Sequence, residues 1–145
     1  MFVRTIIKNK DQGLINVAPT DLAKDVAKVF KHKQIGFALV RDHKRHLVGT
    51  ISERDIIHGL ADRGDLDGMK VFELLTSNVV MCNLDDTLET VREIMTTKRT
   101  RHVLVMEQGA IMGIVSIGDL IKHSLNECRM DTTEMVDYIN GDGYH

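Results

Sequence analysis

Val48-Gly49-Thr50-Ile51-Ser52-Glu53-Arg54-Asp55-Ile56-Ile57 returns as Met112-Gly113-Ile114-Val115-Ser116-Ile117-Gly118-Asp119-Leu120-Ile121. Both copies run apolar, Gly, two apolar or β-branched residues, Ser, two variable residues, Asp, two apolar residues. Upstream, Val26, Val29, Phe30, Lys33, Leu39 and Val40 align with Val91, Ile94, Met95, Lys98, Leu104 and Val105 at one constant offset, and a single one-residue gap brings the Gly-x-x-Ser-x-x-Asp segments into line. A repeat of this length is a supersecondary unit used twice. Two such units in 145 residues predict a pseudo-twofold body with a cleft along its axis.

Around this core the pattern is strand, helix, strand, strand, helix in each copy. Leu22, Ala23, Val26, Ala27, Val29 and Phe30 form one apolar helical stripe; Leu88, Val91, Ile94 and Met95 form the other. Thr20-Asp21 and Asp86 with Glu89 are the expected helix caps. The runs from Ile35 to Val40 and from His102 to Met106 read as buried strands. Each turns back into a second strand, Leu47 to Ile51 or Ile111 to Val115, which feeds a helix at Asp55 or Asp119. Short strands are expected at Leu14 to Val17 and at Val79 to Cys82, and one helical turn at Val71 to Leu75. The repeats are placed at 3–65 and 70–126, with a helical tail at 127–145 marked by Met135, Val136 and Ile139.

Composition excludes several classes. A net charge of -2 lacks the dense cationic face of a bulk nucleic-acid binder, so nucleic acid ranks last among partners. Cys82 and Cys128 are the only cysteines, far apart and outside any Cys-x-x-Cys pair, and read as reduced structural thiols. No apolar run approaches the ~20 residues needed to span a bilayer. A soluble, cytoplasmic protein is expected. No nucleophile–base pair, metal-ligand spacing or Walker-type loop is legible, so neither a metal nor an enzyme is predicted.

The Ser-x-x-Asp segment admits two readings. As a helix-start signature, Ser52 and Ser116 cap, while Asp55 and Asp119 complement the helix dipole. As chemistry, a carboxylate at a strand-to-helix junction can accept both hydroxyls of a ribose diol. The helix start beside it offers N–H groups to phosphate. Duplication at the same place, with Gly49 and Gly113 allowing close backbone approach, favours the second reading without removing the first.

The duplicated motif resembles a tandem pair of cystathionine-β-synthase (CBS) domains, a Bateman module. Ile51-Ser52-Glu53-Arg54-Asp55-Ile56 and Arg101-His102-Val103-Leu104-Val105 are similar to bacterial and organellar stand-alone members. The resemblance implies an α/β (α+β) fold of two β-α-β-β-α repeats packed sheet to sheet. It implies a homodimer, and sensing rather than catalysis on behalf of a regulated partner protein. The implied ligands are AMP, ADP, ATP or NAD(H), with S-adenosylmethionine as a further candidate. Asp55 and Asp119 would hold ribose diols, and Ser52 and Ser116 ribose or phosphate. Backbone of Thr50-Ile51 and Ile114-Val115 would meet the adenine edge, with apolar neighbours such as Phe37 and Val103 against the ring. Arg101, His102 and Arg54 would face phosphate. A structural or oligomerisation unit with vestigial sites is the alternative, and a small nucleotide-acting enzyme ranks behind it.

Overall fold

The computed structural model describes residues 1–9 and 14–125. Its elements are α1 (Val3–Asn9), β1 (Asn16–Val17), α2 (Ala23–Lys33), β2 (Phe37–Arg41), β3 (Leu47–Ser52), α3 (Glu53–Arg63), a 3-10 turn (Val71–Glu73), β4 (Met81–Asn83), α4 (Leu88–Lys98), β5 (His102–Glu107) and β6 (Ala110–Ser116). A last helix, α5, runs over residues 117–125. The expected tail at 127–145, Cys128 included, lies outside the described residues. Residues 117–125 complete the second β-α-β-β-α series, as the sequence pattern requires.

Each repeat builds a three-stranded mixed sheet, β1-β2-β3 or β4-β5-β6. The first strand pairs parallel to the second, and the second antiparallel to the third. The central strands carry Ala38-Leu39-Val40 and Val103-Leu104-Val105, all with no exposed surface. Continuous apolar runs of this kind belong to strands covered on both faces. The antiparallel register slips at Val40/Arg41 and again at Val105/Met106. The bulge therefore sits at the same aligned place in both copies, as a built-in bend does.

The helices obey their stripes. Ala23, Val26 and Phe30 of α2 are buried, as are Leu88, Val91 and Met95 of α4. Both helices end on a non-glycine residue in the left-handed region, Gln34 at φ 55 and Arg99 at φ 53. The helix starts differ from expectation. Leu22 stands at the N-cap of α2 with no side-chain cap bond, and Thr87 caps α4 by accepting the Thr90 N–H. Asp21 accepts the N–H of Ala18 at 2.9 Å, and Asp86 that of Asn83 at 2.8 Å. These two acids tighten the strand-to-helix turn instead of capping, because each helix begins beyond the reach of its carboxylate.

The chain divides into two compact units, Asp11–Val80 and Met1–Lys10 with Met81–His145. Sequence repeat and compact unit differ at the N-terminus: α1, placed with the first repeat at 3–65, packs within the unit of the second. Val3 and Arg4 donate backbone N–H groups to Asp86 and Leu84 carbonyls, both at 2.9 Å. Arg4 also pairs with Asp85 and Glu107, each at 3.1 Å. Val3 and Ile6 are buried, so the small helix contributes core as well as charge.

In the first repeat the sheet edge is closed by the segment after the 3-10 turn. Thr50 and Thr76 exchange both backbone bonds, at 2.9 and 2.8 Å. That approach explains Gly49: a Cβ there would lie 2.4 Å from the Thr76 carbonyl oxygen. At Gly113 a Cβ would meet only the terminal Cδ1 of Ile7, at 2.9 Å. Close approach at both glycines is thus made by the chain's own segments. Gly49→Ala is expected to cost about 1–3 kcal/mol by overpacking against rigid backbone, and Gly113→Ala clearly less. Urea unfolding of the two variants checks the order.

Cys82 is buried at the middle of β4, and loss of solvation, reinforced by the nearby Asp86 carboxylate, pushes its thiol up to about 11. An unfolded thiol ionises near pH 8.5. Below that value both states keep the proton and the contribution is constant. Above it the unfolded chain sheds the proton while the native state retains it, so stability falls as pH rises toward the native value. Unfolding midpoints measured at pH 8 and at pH 10 should decline in the wild type more than in Cys82→Ala.

Candidate ligand-binding site

At the end of β3 the chain turns directly into α3, and Ser52 stands at the N-cap with extended backbone. Its hydroxyl accepts the Asp55 N–H at 3.2 Å, while Asp55 Oδ2 accepts the Ser52 N–H at 2.8 Å. The Ser52 hydroxyl donates to the same Oδ2 at 3.0 Å. The end of β6 repeats the arrangement: Asp119 Oδ2 accepts the Ser116 N–H at 2.8 Å, and Ser116 Oγ accepts the Asp119 N–H at 3.2 Å. The structural reading of Ser-x-x-Asp is therefore realised in both repeats as a reciprocal capping box.

The box does not exhaust the acid. A carboxylate offers roughly four acceptor sites. Asp55 Oδ1 takes only a long bond from the Thr76 hydroxyl, at 3.4 Å. Both acids are half-buried at the strand-to-helix corner, held in one orientation by the box. A fixed, partly desolvated carboxylate is able to accept both hydroxyls of a vicinal diol. The bond from the serine N–H to Oδ2 does the orienting.

The other candidate residues sort by position. Phe37 stands opposite Ser52 in the β2–β3 register, and His102 stands opposite Ser116 in the β5–β6 register. Directly opposed residues share a sheet face, so each repeat brings this side chain to its box, and both are half-buried. Arg101 is exposed, and its carbonyl accepts the N–H of Ile117, the first residue of α5, at 2.8 Å. Arg54 is exposed on the first turn of α3. Ile114 is half-buried. Ile51, Val103 and Val115 have no exposed surface. They belong to the cores of their units. Thr50 is 5% exposed, and its backbone N–H and carbonyl are both taken by Thr76.

Thr76 is the residue that sequence reasoning missed. It lies outside the repeat pattern, in a connection with no periodicity. Its one legible signal is Gly49, whose missing side chain announces a neighbour. Among the described residues no group of His, Cys, Asp and Glu could hold a metal ion.

The profile of the CBS domain family matches residues 7–62 and again residues 71–126. The chain belongs to the CBS-domain family. The CBS-domain protein ATU1752 from Agrobacterium tumefaciens is 34% identical, with a TM-score of 0.79 over 83% of this chain and 91% of that one. At lower identity the fold persists. The CBS domain protein PAE2072 from Pyrobaculum aerophilum, crystallised with AMP, is 24% identical with a TM-score of 0.70, covering 82% of this chain and 89% of that one. The CBS domain pair of protein MJ0100, crystallised with 5-methylthioadenosine and S-adenosyl-L-methionine, is 22% identical with a TM-score of 0.73, covering 88% and 98%. Among the described residues no helix of this CBS pair is long and apolar enough to cross a membrane.

The capping box predicts a stability effect independent of any ligand. Ser52→Ala and Ser116→Ala should each lower unfolding stability by about 1 kcal/mol through loss of the cap. Thermal or urea unfolding of ligand-free protein measures it.

Proposed function

We propose that this CBS pair is a regulatory module that binds an adenine nucleotide at its Ser-x-x-Asp corners and signals to a partner protein. The observation that carries the reading is the duplicated carboxylate, half-buried and pre-oriented at a strand-to-helix corner in each repeat. Asp55 and Asp119 grip the ribose diol. The α3 and α5 starts, Arg54, Arg101 and His102 serve the phosphate end, and Phe37 and Ile114 flank the base. The adenosine compounds bound by PAE2072 and MJ0100 support the ligand class by analogy of fold. AMP, ATP and NAD(H) are the candidates, with S-adenosylmethionine beside them. The protein acts as a cytoplasmic homodimer and does not turn its ligand over. Its output is a coupling free energy, equal to the difference in ligand affinity between two arrangements of the protein.

One observation favours the alternative of a structural unit with vestigial sites: in the first repeat the Thr50 backbone is already paired with Thr76. On that reading the box is only a cap.

A titration separates the two. Removing hydrogen bonds to a charged carboxylate costs about 1.5–3 kcal/mol, or roughly tenfold or more in affinity. Asp119→Ala should therefore weaken the best ligand at least tenfold by calorimetry, while Ser116→Ala, which loses the cap but keeps the acid, weakens it much less. Equal affinity in Asp55→Ala, Asp119→Ala and wild type would establish the scaffold. The ligand itself is chosen by a thermal-shift panel of AMP, ATP, NADH and S-adenosylmethionine, where hundredfold excess over Kd adds about 2.7 kcal/mol to stability.

A further inference from the structure

The tip that joins β2 to β3 reads Arg41-Asp42-His43-Lys44-Arg45-His46. The corresponding tip between β5 and β6, Glu107-Gln108-Gly109-Ala110, carries no cation. The first tip is rigidly built. Asp42 Oδ1 accepts the N–H groups of Lys44 and His46, each at 2.9 Å, and the Asp42 N–H donates to the His46 carbonyl at 3.0 Å. The one carboxylate of the loop is thereby engaged inside the turn. His43, Lys44, Arg45 and His46 are exposed, and Arg41 is half-buried.

Two features of this tip are not what stability alone selects. Arg45 holds left-handed backbone at φ 67, where the aligned residue of the second repeat is Gly109 at φ 78. A three-residue hairpin loop favours glycine at that place, because an L side chain is strained there. Strain retained at an exposed position points to a use for the side chain. The second feature is Arg41. Its guanidinium is pinned by neutral oxygens: Nε donates to Asn16 Oδ1 at 2.7 Å, and Nη1 donates to the Arg45 carbonyl at 3.0 Å. These bonds fix the group, leave further N–H donors free and cancel none of its charge. Among the described residues no carboxylate pairs with Arg41, Lys44 or Arg45.

We infer that the β2–β3 tip is the surface on which the regulated partner protein docks, through an acidic segment of that partner. This names the chemistry of the partner proposed above and rests on that reading for the partner's existence. Arg41 offers a fixed fork to one carboxylate, and Lys44 and Arg45 stand beside it for a second. Other anionic surfaces fit less well. A bilayer is held by clusters of roughly 4–8 Lys/Arg or by inserted apolar groups. The tip has only Arg41, Lys44 and Arg45 as permanent cations, and no apolar side chain. A nucleic acid calls for a broad cationic face or for aromatic rings that stack its bases. The tip has neither, and the chain carries a net charge of -2.

The test is fluorescence anisotropy of labelled hexaglutamate on the full chain at low ionic strength. Binding that weakens as salt is raised is expected. Arg45→Gly should weaken it about two- to fivefold, the scale of an exposed ion pair, without lowering the unfolding midpoint, since glycine relieves the backbone. A purely structural Arg45 would give the reverse. Lys44→Glu, which turns an attraction into a repulsion, should cost about tenfold. Lys33→Glu, an exposed change at the opposite end of β2, should cost little. No salt-dependent binding, unchanged binding in Arg45→Gly, or an equal loss in Lys33→Glu overturns the docking surface. Tighter binding of a single-stranded oligonucleotide or of phosphatidylserine vesicles through Lys44 and Arg45 overturns the acidic segment as occupant. Asp119→Ala should leave hexaglutamate binding unchanged, so failure of the nucleotide site and failure of the docking tip are read separately.

Discussion

One bond recurs at the centre of each repeat: the aspartate Oδ2 accepting the serine N–H at 2.8 Å. It ties the first turn of a helix to the last residue of a strand. Without it the strand would end on an unpaired donor at a half-buried corner, which is costly. With it the helix leaves the sheet in one direction, and that direction sets which faces of α3 and α5 turn inward. Ile56 and Leu120, the residues after the two acids, are thereby buried at 6% exposure each. The same bond fixes the carboxylate in space. On the proposed function, the residue that organises the fold would also read the ligand.

Duplicating a three-stranded unit duplicates its weakness, an open sheet edge. In the first repeat the edge of β3 is covered by the strap through Thr76, which pairs with Thr50 and forces Gly49 to stay bare. In the second repeat the β6 surface is covered by α1, with Ile7 against Gly113. One cover is a backbone pairing, the other a helix with a flexible side chain at the contact. The strap carries a hydroxyl to Asp55, so a covering segment becomes part of the corner where the acid sits.

This division explains what the sequence disclosed. Alternation, stripes and the repeat alignment locate β2, β3, β5, β6, α2, α3 and α4, because burial leaves a periodic trace. Ser52 and Ser116 were legible as caps and Asp55 and Asp119 as acids, because spacing alone defines a reciprocal box. Thr20-Asp21 and Asp86 misled because an acid near a helix start can serve a turn as well as a cap, and only the first helical residue decides between them. Helix α1 and Thr76 stayed hidden for a different reason. Each is short, and each gains its structure from long-range contacts with a unit that its own local pattern does not mention. Ile51 and Val115 are candidates through their backbone beside the base and Val103 as an apolar neighbour of the ring; that all three side chains are fully buried is not legible from their place next to the motif.

The alignment that reveals the repeat also measures its divergence. Core positions keep their character, as Val26 with Val91 and Leu39 with Leu104, since each must fill the same space in the same backbone. The corner before each box does not: Gly36 faces Glu53 where Arg101 stands beside Ile117. Those residues lie outside the core and are not needed for either sheet, so packing does not hold them alike. A duplicated fold with one repeated acid and two unlike surroundings would, on the proposed function, offer the same sugar grip twice in two electrostatic settings. The second corner, with Arg101 and His102, suits an anionic group. The first, with Glu53 over Gly36, suits it only through Arg54. On the proposed function, two such corners would answer one ligand with different affinities, and a graded response over a wider concentration range would follow from that difference alone.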